Sequence, residues 1–259
     1  MKQVFRVFWG CTLAAALALT GCGRGGAPGS SGAGSMSGSG SGAMSGGTAG
    51  QEQAWRTGLG VVTEAAGSDR AGKITTAAAA VVLDADGKLA DVMLDELELS
   101  VSGGSTGSVT IPEDVRSKRT KGEDYPLAAA SSLGKGWAEQ ADWFADYLTG
   151  RTPDEVKKLK TDENGKPQDA DLVSGCTIAV DRYRDAVVRA CEQAKALGAA
   201  QGDRATLSLI AADLPQDLAA TDDQDAHVRA DITLAALTVD SNGRVTSAIG
   251  DMTQPQLTV

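Results

Sequence analysis

The stretch Val81-Val82-Leu83-Asp84-Ala85-Asp86-Gly87 recurs later in the chain as Leu237-Thr238-Val239-Asp240-Ser241-Asn242-Gly243. A short apolar segment precedes each stretch, Leu59-Gly60-Val61-Val62 in the first copy and Leu207-Ser208-Leu209-Ile210 in the second. Apolar residues alternate on both sides of the Asp-Gly and Asn-Gly dipeptides, which favour the positive φ of tight hairpin turns. Each copy therefore predicts a strand, a polar loop and a β-hairpin.

Only the first copy continues into segments with helical periodicity. Apolar residues of 133–148 fall on one face of a helix that is expected to end at Gly150. The sequence Thr152-Pro153-Asp154-Glu155 has the pattern of a capping box with proline at the first helical position, which predicts a short helix to about residue 159. A third helix is predicted over 181–198, with Asp181 as its N-cap.

The predicted fold class is α+β, in which an antiparallel sheet built from the repeated hairpins packs against about three helices. Residues 51–200 are expected to form the main domain, and 201–259 a truncated second repeat. Because the second copy has too little apolar periodicity for a core of its own, we expect its strands to join the same sheet as the first copy.

Composition narrows the classes of function. The chain has 34 acidic against 24 basic residues, a formal net charge of -10. This balance argues against nucleic acid as a partner, because phosphate-rich surfaces are held mainly by clustered Lys and Arg. His227 is the single histidine, so most of the usual general-base and zinc chemistry is missing, and no metal site or catalytic residue is predicted.

The N-terminus has the layout of a targeting segment. Residues 1–21 combine early basic residues with an apolar run, as secretory signal peptides do. The ending Leu19-Thr20-Gly21-Cys22 resembles the lipobox of bacterial lipoproteins, which implies cleavage before Cys22 and lipid on that residue. Residues 22–50 are rich in Gly and Ser and predict a flexible tether. We therefore expect a lipid-anchored protein on the extracytoplasmic face of the cell membrane; the alternatives are a secreted protein or a transmembrane anchor, for which the run is short.

A turn of small residues precedes the third helix, with the sequence Asp171-Leu172-Val173-Ser174-Gly175-Cys176-Thr177. It resembles the flavinylation motif of the FMN-binding domain family, in which Asp and two variable residues are followed by Ser, Gly, Ala and then Thr or Ser. Asp171, Ser174, Gly175 and Thr177 match this pattern, and Cys176 stands where the family has alanine. The resemblance covers roughly residues 57–200.

The resemblance implies a cofactor and a mode of attachment. In that family a flavin transferase esterifies the phosphate of FMN to the Thr hydroxyl, which makes Thr177 the expected attachment point, with Ser174, Gly175 and Asp171 around it. An exposed turn without bulky side chains suits such a transfer. The basic cluster Lys118-Arg119-Thr120-Lys121 is either a solvated loop or a receptor for an anionic ring edge or phosphate of the flavin.

The functional expectation is an FMN-carrying electron-transfer lipoprotein rather than a turnover enzyme, with its redox partner left open. The alternative is a flavin-free binding or structural lipoprotein on the same scaffold. Export to an oxidising compartment permits a disulfide between Cys176 and Cys191. The position of Cys191 on the apolar face of the third predicted helix instead favours packing as a small hydrophobic residue.

Overall fold

The first sheet contains four antiparallel strands in chain order. They are β1 (Arg56–Ser68), β2 (Ala71–Leu83), β3 (Leu89–Gly103) and β4 (Val109–Thr110). The structure is a computed structural model that describes residues 54–68, 70–104, 108–211, 216–218, 221 and 225–259. The β2–β3 hairpin turns at Asp86-Gly87, as predicted, and Gly87 has the required positive φ of 78°.

The fold class is α+β, as predicted, and each of the three predicted helices is present. The described residues contain the helices α1 (Lys118–Lys121), α2 (Leu127–Ala130), α3 (Trp137–Leu148), α4 (Pro153–Lys157), α5 (Ala170–Val173) and α6 (Asp181–Glu192). The sequence did not predict α1, α2 and α5, because a helix of four residues is too short for a helical period to be seen.

Two details of the helix ends confirm or correct the predictions. Thr152 and Glu155 form the predicted capping box at the start of α4. Asp181 is the first residue of α6 instead of its N-cap, which is Val180, and α6 ends at Glu192, earlier than predicted.

The second repeat forms sheets of its own. Strands β5 (Arg204–Ala211), β8 (Ile232–Val239) and β9 (Val245–Thr253) make one three-stranded sheet, and β6 (Gln216–Leu218), β7 (His227–Arg229) and β10 (Gln256–Thr258) make another. The expectation that this repeat joins the first sheet is therefore wrong. The physical reason is that β2 is apolar on both faces. The helices cover only one face of the first sheet, so the second repeat packs against the other face and does not extend the sheet.

The pairing register supports the internal repeat. The β1–β2 pair begins with Arg56 opposite Leu83, and the β5–β8 pair begins with Arg204 opposite Val239. Both following hairpins contain a register shift at the same point, between Val82 and Leu83 in the first copy and at the equivalent pair in the second. The two copies thus share a strand, a hairpin and an irregularity next to the turn.

Two apolar cores lie on opposite faces of the first sheet. On one face, β2 and β3 pack against α3, α4 and α6, with Trp137 and Phe144 among the largest buried side chains. On the other face, residues such as Ile74 and Leu97 pack against Leu209 and Leu234 of the second repeat. The second repeat therefore completes the fold by covering the first sheet.

Candidate functional site

Thr177 lies on the loop between α5 and α6, where Gln140 of α3 holds it. The fully buried Gln140 side chain accepts two hydrogen bonds at Oε1, from the Thr177 N–H (2.9 Å) and from the Thr177 hydroxyl (3.1 Å). Its Nε2 donates to Ser131 Oγ and to the Lys135 carbonyl, both at 3.0 Å. Because both the oxygen and the nitrogen of the Gln140 amide are hydrogen-bonded, the amide is held in one orientation and fixes the position of the Thr177 hydroxyl.

The other predicted motif residues shape the turn before Thr177. The exposed Ser174 hydroxyl donates to the Asp171 carbonyl (2.7 Å). Gly175 lies under the indole of Trp143, where a Cβ atom would overlap the ring. The carboxylate of Asp169, a residue outside the predicted set, caps α5 by accepting from the Asp171 N–H (3.0 Å).

Both cysteines in the described part of the chain, Cys176 and Cys191, are free thiols in the apolar core. Burial raises the pKa of the Cys176 thiol to about 11 and that of Cys191 to about 12. The structure therefore has no disulfide between them, and the interpretation of Cys191 as a small packed hydrophobic residue is confirmed.

A cavity of about 480 Å³ opens beside Thr177. Its lining includes Tyr125, Trp137 and Tyr183 as aromatic groups, with Ser131 next to the Gln140 amide. Trp137 Nε1 donates to the Tyr183 hydroxyl (3.1 Å), and the two rings pack edge to face with centroids 5.9 Å apart. The volume lies within the range of about 300 to 1,000 Å³ that is common for small-molecule sites.

A buried carboxylate flanked by two cations lies at this cavity. Glu96 of β3 is fully buried, and its Oε1 is 2.6 Å from Lys118 Nζ. On the other side, Glu96 Oε2 is 3.7 Å from Arg182 Nε, a distance too long for a hydrogen bond. We call these three residues the Glu96 cluster.

The pKa values of the two cations respond to Glu96. Burial acts to lower the pKa of Lys118, but Glu96 together with Tyr125 raises it overall. Burial also acts to lower the pKa of Arg182, and the carboxylates of Glu96 and Glu64, with smaller contributions from other groups, raise it overall. Burial, followed by the charge of Glu96, raises the pKa of Tyr183 well above its usual range. Both cations are therefore charged at neutral pH.

The sequence pointed to some of these residues and missed others. The interpretation of 118–121 as a solvated loop is wrong for Lys118, which is buried at the start of α1. Glu96 was missed, although a signal exists: it follows Leu94 by two residues, at an inward position of an apolar strand. Gln140 and Arg182 carried no signal, because only the tertiary fold brings them to the cavity.

Several predictions concern residues outside the described part of the chain. The signal peptide 1–21, Cys22 and the tether 22–50 all lie there. Within the described ranges, none of the helices has the length and apolar character needed to cross a bilayer. The same ranges hold no group of His, Cys, Asp and Glu side chains suited to a metal ion.

Comparison of the chain with protein-family models, with curated proteins and with solved structures found no match.

Proposed function

We propose that the chain is an FMN-carrying electron-transfer protein, held at the extracytoplasmic face of a cell membrane by lipid on Cys22. The observation that carries the proposal is the position of Thr177, whose side chain lines a cavity with aromatic and cationic walls. The cofactor would be bound through a phosphoester at the Thr177 hydroxyl.

The residues at the cavity fit a flavin phosphate in charge and in chemistry. The charged side chains that line it are three cations, Lys118, Lys166 and Arg182, and one carboxylate, Glu96. This local excess of positive charge stands out in a chain whose net charge is -10, and it favours a bound anion. The aromatic side chains of the wall suit a planar ring system.

Thr177 is the residue of the motif that suits attachment. Ser174, the other hydroxyl of the motif, donates to the Asp171 carbonyl and is not among the residues that line the cavity. In the attachment step, a bond forms between Thr177 Oγ1 and phosphorus while a diphosphate bond of a flavin dinucleotide breaks and the nucleoside monophosphate leaves. The hydroxyl proton passes to solvent, and Gln140 keeps its hydrogen bond from the Thr177 N–H.

The flavin itself supplies the electron chemistry when bound, and the protein sets its position and its exposure to solvent. The Gly/Ser-rich segment 22–50 would link the domain to the lipid on Cys22.

The test is the intact mass of the exported protein after co-expression with a flavin transferase. We expect a gain of one FMN less one water, and flavin fluorescence that survives denaturation. Thr177→Ala should abolish the adduct, and Thr177→Ser should retain it. Ser174→Ala is the matched control, because it removes a hydroxyl of the motif and leaves the acceptor hydroxyl of Thr177 in place. Cys176→Ala restores the family residue and should not reduce attachment.

Two results would contradict parts of the proposal. Absence of an adduct in both the wild type and Cys176→Ala would favour the flavin-free binding lipoprotein. Unchanged membrane fractionation of a processed Cys22→Ser variant would exclude the lipid anchor.

A further inference from the structure

The Glu96 cluster has hydrogen-bonding groups that the protein leaves unused. Within the described residues, no hydrogen bond of acceptable geometry reaches Arg182 Nε or either carboxylate oxygen of Glu96, and Lys118 Nζ contacts Oε1 as an ion pair. Oε2 of Glu96 and Nε of Arg182 are buried and belong to residues that line the cavity. Buried polar atoms are nearly always paired in folded proteins, so such a pair at a cavity indicates a ligand that supplies the missing partners.

The order of groups in the cluster defines the chemistry of that ligand. Each carboxylate oxygen of Glu96 has a different cation beside it: Lys118 Nζ lies 2.6 Å from Oε1, and Arg182 Nε lies 3.7 Å from Oε2. The carboxylate therefore accepts between two groups that donate. The complementary ligand edge has an acceptor, a donor and an acceptor. A cyclic imide has this pattern, with an N–H between two carbonyl groups, and it occurs in the isoalloxazine ring and in uracil.

We infer that the Glu96 cluster recognises the imide edge of a planar heteroaromatic ring, with Glu96 accepting from the ring N–H and Lys118 and Arg182 donating to the two carbonyl oxygens. This inference rests on the proposed flavin carrier and specifies how the ring is held. The aromatic side chains of Tyr125 and Trp137 line the same cavity and are suited to contact with a planar ring.

Burial of the carboxylate makes the recognition selective. Glu96 is fully buried and Lys118 nearly so, so a ligand that lacks the N–H would leave a buried carboxylate oxygen without a hydrogen-bond donor. Sites built to hydrogen-bond an N–H or O–H group reject analogues without that group far more strongly than sites that sense only shape.

The test uses reversible binding, so that it does not depend on attachment at Thr177. The full chain, produced without a flavin transferase, is titrated with lumiflavin and with N3-methyl-lumiflavin, in which a methyl group replaces the imide hydrogen. Flavin fluorescence reports binding. We expect lumiflavin to bind and the methylated ring to bind at least about tenfold more weakly.

Protein variants test the cluster directly. Arg182→Gln should weaken lumiflavin binding about tenfold. Arg184→Gln is the matched control on the same helix, because Arg184 pairs with Asp185 and the Leu159 carbonyl outside the cavity. A titration with uridine distinguishes the two ring systems that carry an imide edge. If lumiflavin binds and uridine does not, the site selects the larger isoalloxazine ring.

The outcomes separate this inference from the proposed function. Equal binding of lumiflavin and its N3-methyl analogue, or no binding of lumiflavin, would overturn the inference even if the adduct at Thr177 forms. Equal effects of Arg182→Gln and Arg184→Gln would overturn it as well. Selective lumiflavin binding without any adduct would keep the inference and exclude the covalent carrier.

Discussion

Gly175 and Trp143 form a contact that leaves no room for a larger side chain. We expect Gly175→Ala to lower the free energy of unfolding by about 1 to 3 kcal/mol, because the added methyl group overlaps the Trp143 indole. Urea unfolding measures this change. Gly250→Ala is the control, since its new Cβ would lie 3.9 Å from the nearest atom, the Leu234 carbonyl oxygen.

A double-mutant cycle separates the overlap from other effects of the substitution. Trp143 is 40% exposed, so Trp143→Ala alone should also lower the free energy of unfolding, by the area that the indole buries. In that background Gly175→Ala should lose most of its cost. If both backgrounds show the same loss of stability, the overlap with Trp143 is not the cause.

The buried thiols of Cys176 and Cys191 make stability depend on alkaline pH. Their folded pKa values of about 11 and about 12 lie above the ordinary value of 9.0, so the folded state holds these protons more tightly than the unfolded chain. The stabilisation is complete below pH 9 and is lost as pH rises toward the folded values, by about 1 kcal/mol for each thiol at about pH 10.

Urea unfolding at several pH values checks this dependence. The free energy of unfolding should fall above pH 9 in the wild type and fall less steeply in the double variant Cys176→Ala, Cys191→Ala. The smaller side chains lower the starting stability, so the slope with pH is compared. Identical slopes would show that other groups control the alkaline region.

The position of Thr177 on a loop before α6 could be predicted, because the small residues Ser174-Gly175-Cys176 precede it. Its partner could not, since Gln140 is 37 positions away and a glutamine within an apolar helix face has no spacing rule of its own. Glu96 is an intermediate case. Its inward position on β3 could be predicted from the sequence, but its contacts with Lys118 and Arg182 could not. Local turns and strand faces could thus be predicted from the sequence, and the tertiary contacts of Thr177 and Glu96 could not.

Three turns of the chain share one design at the level of elements. Asp84, Asp162 and Asp240 each accept, at Oδ1, hydrogen bonds from the backbone N–H groups two and four residues later. A glycine with positive φ follows each of them by three positions. The repeat analysis identified the first and third turns, and the second lies between α4 and α5.

Replacing the glycine of one turn tests this design. Gly243 has a φ of 76° and open space around its missing Cβ, so Gly243→Ala should cost about 1 kcal/mol through backbone strain alone. The matched control is Gly250→Ala in the same hairpin, where φ is ordinary and the nearest atom is 3.9 Å away. Thermal unfolding should separate the two variants; equal melting temperatures would contradict the strain.

Element type could be predicted where the pattern was long, as for α3 and α6, whose apolar faces repeat over three turns. The pairing of strands could not. Strands β6 and β7, which lie between β5 and β8 in the chain, form a third sheet with β10. Each of these strands has only three residues, which is too short for an alternating pattern to be recognised in the sequence. Strand partners depend on which faces remain uncovered, which is a property of the whole fold.

At the scale of the whole molecule, the second repeat is part of the core of the first. A chain cut after Gly198 would expose the face of the first sheet that carries Leu59, Ile74 and Leu97. Each such side chain contributes about 1.5 to 3 kcal/mol when buried, so several together match the usual total stability of 5 to 15 kcal/mol.

We therefore expect the truncated chain to lack cooperative unfolding. Circular dichroism during heating, together with the hydrodynamic radius, checks this expectation against the full chain. A truncated chain that melts cooperatively at the same temperature would show that the first repeat is independently stable.

The central strand β2 is buried on both faces and hydrogen-bonded to a strand on each side. The backbone amides of Ala77-Ala78-Ala79-Ala80 therefore have no local opening that reaches D₂O, and their deuterium exchange requires unfolding of the entire domain. The slowest-exchanging amides of the molecule should be these four. Their protection factors would then equal the global unfolding constant, so native-state exchange at β2 would report the stability of every variant described above without added denaturant.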